Sequence, residues 1–200
     1  MIASKEELRK YIKADIRALR GVTFRQRIKS PFVPNIYAFE KKMRVCEYYR
    51  NCRQDALGKF VFAVKYLRYQ RYSIKLGYTI PLNVFGPGLC LCHYGTIVIN
   101  DTARFGKNAR IHADVNIGKY SRGESDGPKA TAPIFGDNVY IGPGAKVFGG
   151  IRIGNDVAIG ANSVVAKDVP DGVSVAGIPA KILNHDGSQG LIIDGKYNKI

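Results

Sequence analysis

Residues 135–170, FGDNVYIGPGAKVFGGIRIGNDVAIGANSVVAKDVP, divide into six hexads. Each opens on an apolar residue (Phe135, Ile141, Val147, Ile153, Ile159, Val165), and a small or β-branched residue follows four places on. A period of six fits neither the alternation of a single strand nor any helix. It suits a parallel β-helix, in which each short strand and turn gives one inward side chain to a central stack. Gly136, Gly142, Gly154 and Gly160 follow the opening residues, where positive φ would let the chain bend at each corner.

The phase continues upstream. Hexads open at Phe85, Leu91, Ile99, Phe105, Ile111 and Ile117, with two extra residues at Ile97 and Val98. It lapses between Lys119 and Pro133, where charge, glycine and proline replace the apolar spacing, so residues 119–133 read as a loop extruded from one coil. The fold class is therefore mainly β, a parallel β-helix over residues 77–183. An α-helical region over 1–76 precedes it, and a polar tail over 184–200 follows.

Three helices are predicted in the first region. Ser4 with Glu7 makes a capping box for a helix reaching Arg20, and Gly21 can end it. Residues 22–35 read as loop because Pro31 and Pro34 break helices. A second helix is predicted over 38–51 and a third over 55–76, stopped by Gly77. In the third, Phe60, Val64, Leu67 and Tyr72 fall near one stripe, and Lys59, Arg68, Arg71 and Lys75 lie elsewhere. Two readings of that stripe stand: packing on neighbouring helices, which is favoured, and lying on an anionic membrane surface. Either way the helices would cap the open first coil, whose edge must be covered.

The net charge is +15, and residues 1–75 carry nineteen Lys/Arg against six Asp/Glu, a balance of +13 that leaves +2 for the rest. Such a field attracts phosphates, polyanions or anionic lipid, including lipid-linked glycans. No nucleic-acid-binding module accompanies it, so no nucleic acid is expected. No apolar run reaches membrane-spanning length, and MIASKEELRK lacks the apolar core of a signal peptide, so a cytoplasmic protein is expected, with peripheral contact at the inner face of the membrane as an option. Reduced thiols are then expected at Cys46, Cys52, Cys90 and Cys92. Cys90, Cys92 and His93 lack the regularly spaced fourth ligand of a zinc site, so no metal is expected. The two thiols read as fillers of narrow coil positions.

The hexads, GLCLCHYGTIVIND (88–101), IGPGAKVFGGIRIGNDVAIGANSVVAKDVP (141–170) and VSVAGIPAKIL (173–183) together resemble the left-handed β-helix acyltransferases. Within them the likeness is to the serine acetyltransferase-like branch found among bacterial surface-polysaccharide enzymes. It is specific over about 77–183 and weaker before that. The resemblance implies a homotrimer that moves an acetyl group from acetyl-CoA to a hydroxyl. Acetyl transfer to an alcohol needs a base, and the resemblance places His93 where that family keeps its catalytic histidine. His112 follows an inward residue and reads as a surface or interface residue, and His185 gets no role.

Two positions depart from the family pattern. Tyr78 stands where an aspartate orients the catalytic ring, and Ala132 stands where a second histidine contacts the amino-acid acceptor. Asp101, matching an acidic position of the family, and Asp114 are the candidates for orienting His93, with Asp101 preferred. Small residues Gly142, Gly144, Ala145, Gly160 and Ala161 would leave a groove for the pantetheine arm. The resemblance puts the nucleotide phosphates near Lys167 and Lys181. Because Ala132 and the rebuilt loop differ from the serine enzymes, a saccharide hydroxyl is favoured as acceptor and L-serine ranks second. A β-helix scaffold or binding module without chemistry is the alternative of a different class.

Overall fold

The computed structural model describes residues 1–20, 35–119 and 131–192. Its order is α1 (Lys5–Ala18), α2 (Ile36–Cys52), α3 (Ala56–Leu76), then β1 (Tyr78–Thr79), β2 (Cys90–Leu91), β3 (Ile97–Ile99), β4 (Arg104–Phe105), β5 (Arg110–Ile111), β6 (Val115–Gly118), β7 (Ile134–Phe135), β8 (Tyr140–Ile141), β9 (Lys146–Phe148), β10 (Arg152–Ile153), β11 (Ala158–Ile159), β12 (Val164–Val165), β13 (Ser174–Gly177) and β14 (Ala180–Asn184). The strands form three sheets, β1-β3-β6-β9-β12, β10-β7-β4 and β14-β13-β11-β8-β5-β2. All pairs are parallel except β13 with β14, which close the last coil as an antiparallel hairpin. This is the expected left-handed parallel β-helix with a helical cap.

The hexad openers are the core. One column runs Phe85, Phe105, Phe135, Ile153, a second Leu91, Ile111, Ile141, Ile159, Val175, and a third Ile99, Ile117, Val147, Val165. All are buried, and the Phe105 and Phe135 rings stack with centroids 4.0 Å apart and planes 3° apart. Of the residues four places on, Val139, Ala145, Val157 and Ser163 are also inward and buried, and Ile151 is partly buried.

The corners are built otherwise than the sequence suggested. Gly136, Gly142, Gly154 and Gly160 do not have positive φ; the left-handed corner comes two residues later, at Asn138 (φ 58), Gly144 (φ 74), Asp156 (φ 55) and Asn162 (φ 54). The reason for glycine is close stacking, since a Cβ on Gly142 would lie 2.8 Å from the Ala161 nitrogen of the next coil. Asparagine and aspartate tolerate the left-handed turn and also bond coil to coil. Asn108 Nδ2 donates to Asn138 Oδ1, and Asn138 Nδ2 to Asp156 Oδ1, each at 2.8 Å.

The helix caps follow the sequence. Ser4 Oγ accepts from the Glu7 N–H at 3.1 Å, with the Glu7 carboxylate reaching back to the Ala3 N–H. Asn35 and Asp55 cap α2 and α3, and Gly77 ends α3 at φ 78. The loop over 22–35 and the Gly21 stop lie outside the described residues except for Asn35, as does the extruded loop except for Lys119 and residues 131–133. Of the tail, residues 185–192 fold back on the corners, where Ser188 Oγ donates to the Asn138 carbonyl at 2.6 Å and Ile192 is buried.

The helices do cover the first coil: Phe39, Met43 and Cys46 join its apolar core, and buried acids answer the N–H groups of its edge. Glu47 accepts from the Asn83 N–H at 2.8 Å, Asp15 from Gly88 at 2.8 Å and Leu89 at 3.0 Å, and Glu40 from Leu91 at 3.0 Å. Arg44, fully buried, binds Asp15 and Glu47 and donates to the Phe85 and Gly86 carbonyls at 2.9 and 2.7 Å. The open edge of the coil is thus satisfied group by group. The favoured packing of the stripe is overturned for Phe60, Val64 and Leu67, which are exposed, while its fourth member Tyr72 is partly buried against the core with Phe62 and Tyr66, and α3 packs through Tyr69, Ser73 and Leu76. No helix among the described residues is long and apolar enough to cross a membrane.

Candidate active site

His93 stands just past β2, exposed, where the chain leaves the second column of the core. The chain around it is fixed at two points. Leu91 N–H is held by Glu40, and the His93 carbonyl accepts from the Tyr78 hydroxyl at 2.8 Å. Tyr78 is itself buried and packs edge-on against Phe39 with centroids 4.9 Å apart. The position that carries an orienting carboxylate in the family pattern therefore still serves His93, through its carbonyl.

His112 lies beside it, with ring centroids 5.4 Å apart, and the Tyr140 ring is 5.1 Å beyond. Reading His112 as a surface or interface residue missed this, because the strand register sets Leu91 opposite Ile111 and so brings the following residues of the two coils together. Burial, then Arg110, then His93 push the His112 pKa below its ordinary value. Its Nε2 is buried with no partner among the described residues. A His112 favoured in its uncharged form puts no like charge beside the His93 ring at neutral pH.

An open cleft of about 280 Å³ adjoins His93, lined also by Cys92, Tyr94, Arg110, Arg20 and Tyr37. The Cys90 and Cys92 sulfurs are 3.9 Å apart. The contact with Cys90 holds the Cys92 thiol below its usual range, while Cys90 is pushed up. Among the described residues no group of three or more His, Cys, Asp or Glu could hold a metal ion.

Neither candidate orienter reaches the His93 ring. Asp114 is engaged with Lys146, whose Nζ is 3.2 Å from its carboxylate and 2.6 Å from its carbonyl. Asp101 is exposed in the turn after β3, and its carbonyl accepts from Arg104 at 2.7 Å. Of the small residues expected to line a groove, Ala145 is an inward core residue and Gly142 and Gly144 are buried between coils, where Gly144 faces Asn162. Gly160 is half-buried and Ala161 exposed, so only these two present a surface. Lys167 and Lys181 are both exposed, and Lys181 lies on β14. Ala132 is buried, its N–H donating to Thr102 Oγ1 at 3.2 Å.

Residues 132–167 match the family model described as bacterial transferase hexapeptide (six repeats). A serine acetyltransferase of Staphylococcus aureus (strain Mu50 / ATCC 700699) is 42% identical over 102 residues, which is 51% of this chain and 46% of that protein. The chain thus spans about half the length of the curated relatives it matches. Among solved structures, the serine acetyltransferase of Brucella abortus strain S19 in complex with coenzyme A has a TM-score of 0.69 at 28% identity, covering 92% of this chain and 70% of that one. The serine acetyltransferase of Neisseria gonorrhoeae in complex with serine has a TM-score of 0.67 at 28% identity, covering 90% and 71%. The resemblance to hexapeptide-repeat acyltransferases of the serine acetyltransferase-like branch holds in both sequence and fold.

Proposed function

We propose that this chain is an acetyl-CoA-dependent O-acetyltransferase, with L-serine as acceptor and His93 as general base. One observation carries the reading: His93 is exposed beside an open cleft and held through its backbone, in a chain whose fold follows a coenzyme A-bound and a serine-bound acetyltransferase over nine-tenths of its length. The comparisons back serine above the saccharide that the sequence favoured.

In this reaction the acceptor hydroxyl gives its proton to the His93 imidazole as its oxygen attacks the thioester carbonyl. The tetrahedral adduct collapses with cleavage of the carbon–sulfur bond, and the imidazolium returns the proton to the departing sulfur, leaving an O-acetyl ester and free CoA thiol. Neither Asp101 nor Asp114 is assigned to the ring. Orientation of His93 is assigned instead to the backbone grip of Tyr78 and Glu40.

A cleft of about 280 Å³ is small for acetyl-CoA and an acceptor together. A homotrimer, with a second coil forming the facing wall, would complete it, and Ala161, Lys167 and Lys181 are the exposed groups left for the cofactor's arm and phosphates. A saccharide hydroxyl is the second acceptor, favoured by Ala132, whose buried methyl offers an amino acid no polar group. The test is turnover of acetyl-CoA with L-serine, nucleotide sugars and polysaccharide repeat units, read by mass spectrometry of the acetylated product. Serine turnover with ordinary efficiency supports the first acceptor. Turnover confined to a sugar moves the second forward, and no CoA binding or release with any acceptor leaves a scaffold.

A further inference from the structure

α3 carries two apolar faces, and the fold uses one. The face through Phe62, Tyr66, Tyr69 and Leu76 packs on α2 and the first coil. On the opposite side Leu57 (65% exposed), Phe60 (68%), Val64 (45%), Leu67 (63%) and Ile74 (80%) form a row at spacings of three, four, three and seven residues, and Arg71 sits in the gap. A row of large apolar side chains left open along five turns is not an accident of surface composition, because scattered single residues are the norm.

Charge identifies the occupant. Lys59, Arg68, Arg71 and Lys75 are all exposed on this helix, Lys65 is half-buried over the Tyr49 ring, and α3 contains no acidic residue. The acids of the neighbouring helices are spent elsewhere: Asp15, Glu40 and Glu47 are buried against the coil edge, and Glu6 and Asp55 pair with Lys10 and Arg53. A second copy docking isologously through this row would bring two sets of cations together without counter-charges. A helix with an apolar ridge flanked by cations instead matches an anionic lipid surface, where the apolar chains enter the headgroup–acyl boundary and the cations meet phosphates.

We propose that the exposed face of α3 is a docking surface for a bilayer containing anionic phospholipid, which would hold the β-helix and its site at the membrane surface. The proposal does not depend on the acceptor or on the assigned chemistry.

The test uses the full chain with vesicles of phosphatidylcholine alone and vesicles in which about a third of the lipid is phosphatidylglycerol, read by flotation. Binding is expected to the anionic vesicles only and to weaken with added salt. Arg68→Gln with Arg71→Gln should weaken it by about thirty-fold, from the worth of two cations near such a surface. Phe60→Ser with Leu67→Ser should reduce it by at least as much, while circular dichroism and acetyl-CoA turnover stay unchanged, because these side chains are about two-thirds exposed and belong neither to the core nor to the site. Absence of binding, equal binding to neutral and anionic vesicles, or insensitivity to both double variants overturns the proposal. So does self-association that the Phe60/Leu67 variant dissolves without any vesicle binding, which would assign the face to a second copy.

Discussion

The Tyr78 hydroxyl donates a hydrogen bond to the main-chain carbonyl of His93 at 2.8 Å, from a side chain buried against Phe39. A tyrosine here holds the catalytic candidate by its backbone and bonds neither ring nitrogen. Tyr78→Phe keeps the packing and removes only the hydroxyl. It should cost about 1 kcal/mol of stability and lower kcat more than it raises KM, since it loosens a positioned base and leaves substrate contacts alone. Steady-state kinetics with a melting curve checks this, and an unchanged kcat would show that the grip serves the fold alone.

His93→Ala should lower turnover by roughly 10²–10⁴-fold, the usual contribution of a positioned acid–base group. Fold and CoA affinity should survive, because stability rests on the inward columns and the exposed ring packs into none of them. Calorimetric CoA titration alongside the rate separates the outcomes. A near-normal rate would leave the base unidentified.

The inward residues could be read from sequence because the solenoid repeats one environment: Phe85 through Val165 occupy like positions, and each opener meets its counterpart of the coil before. Helix ends were legible for a local reason, since Ser4, Asp55 and Gly77 act within one turn of the chain. What periodicity could not supply was the exposed face of α3, whose sequence offers two apolar rows. Nor could it show that Asp15, Glu40 and Glu47 answer the N–H groups of the coil edge, because those partners lie 36 to 74 residues away. Ala145 was misread from its size: smallness at that place in the hexad reflects an inward position and not a groove.

His112 makes stability depend on pH in a definite sense. Its pKa is lowered in the fold by burial, Arg110 and His93, so in the window below about 6.5 the unfolded chain takes up a proton that the folded chain does not. Stability should therefore be lost as pH falls from about 6.5 through the folded value, and His112→Gln should flatten the curve in that window. Denaturant midpoints over this range test it. A slope that persists in the variant would place its source in another group.

The buried acids of the cap should respond in opposite ways to loss of charge. Asp15 is ion-paired with fully buried Arg44 at 2.8 Å, and Asp15→Asn keeps an acceptor for the Gly88 and Leu89 N–H groups while stripping Arg44 of a counter-charge. Breaking such a pair costs about 3–5 kcal/mol, and because Arg44 retains Glu47 and two carbonyls the lower end is expected. Glu40 is different. Burial, and next the Asp15 carboxylate, push its pKa well above 4.5, and its Oε2 has no partner among the described residues to stabilise a charge, so the fold favours its neutral form. The folded state then binds a proton that the unfolded state releases, and this contribution to stability fades as pH rises from 4.5 through the folded value. Glu40→Gln preserves the acceptor for Leu91 and removes the titration, so it should change stability little at acid pH and improve it on the alkaline side. Chemical denaturation of both variants across that range decides it. An Asp15→Asn protein as stable as the parent, or a Glu40→Gln protein destabilised at every pH, would mean that the charges of this network are not as assigned.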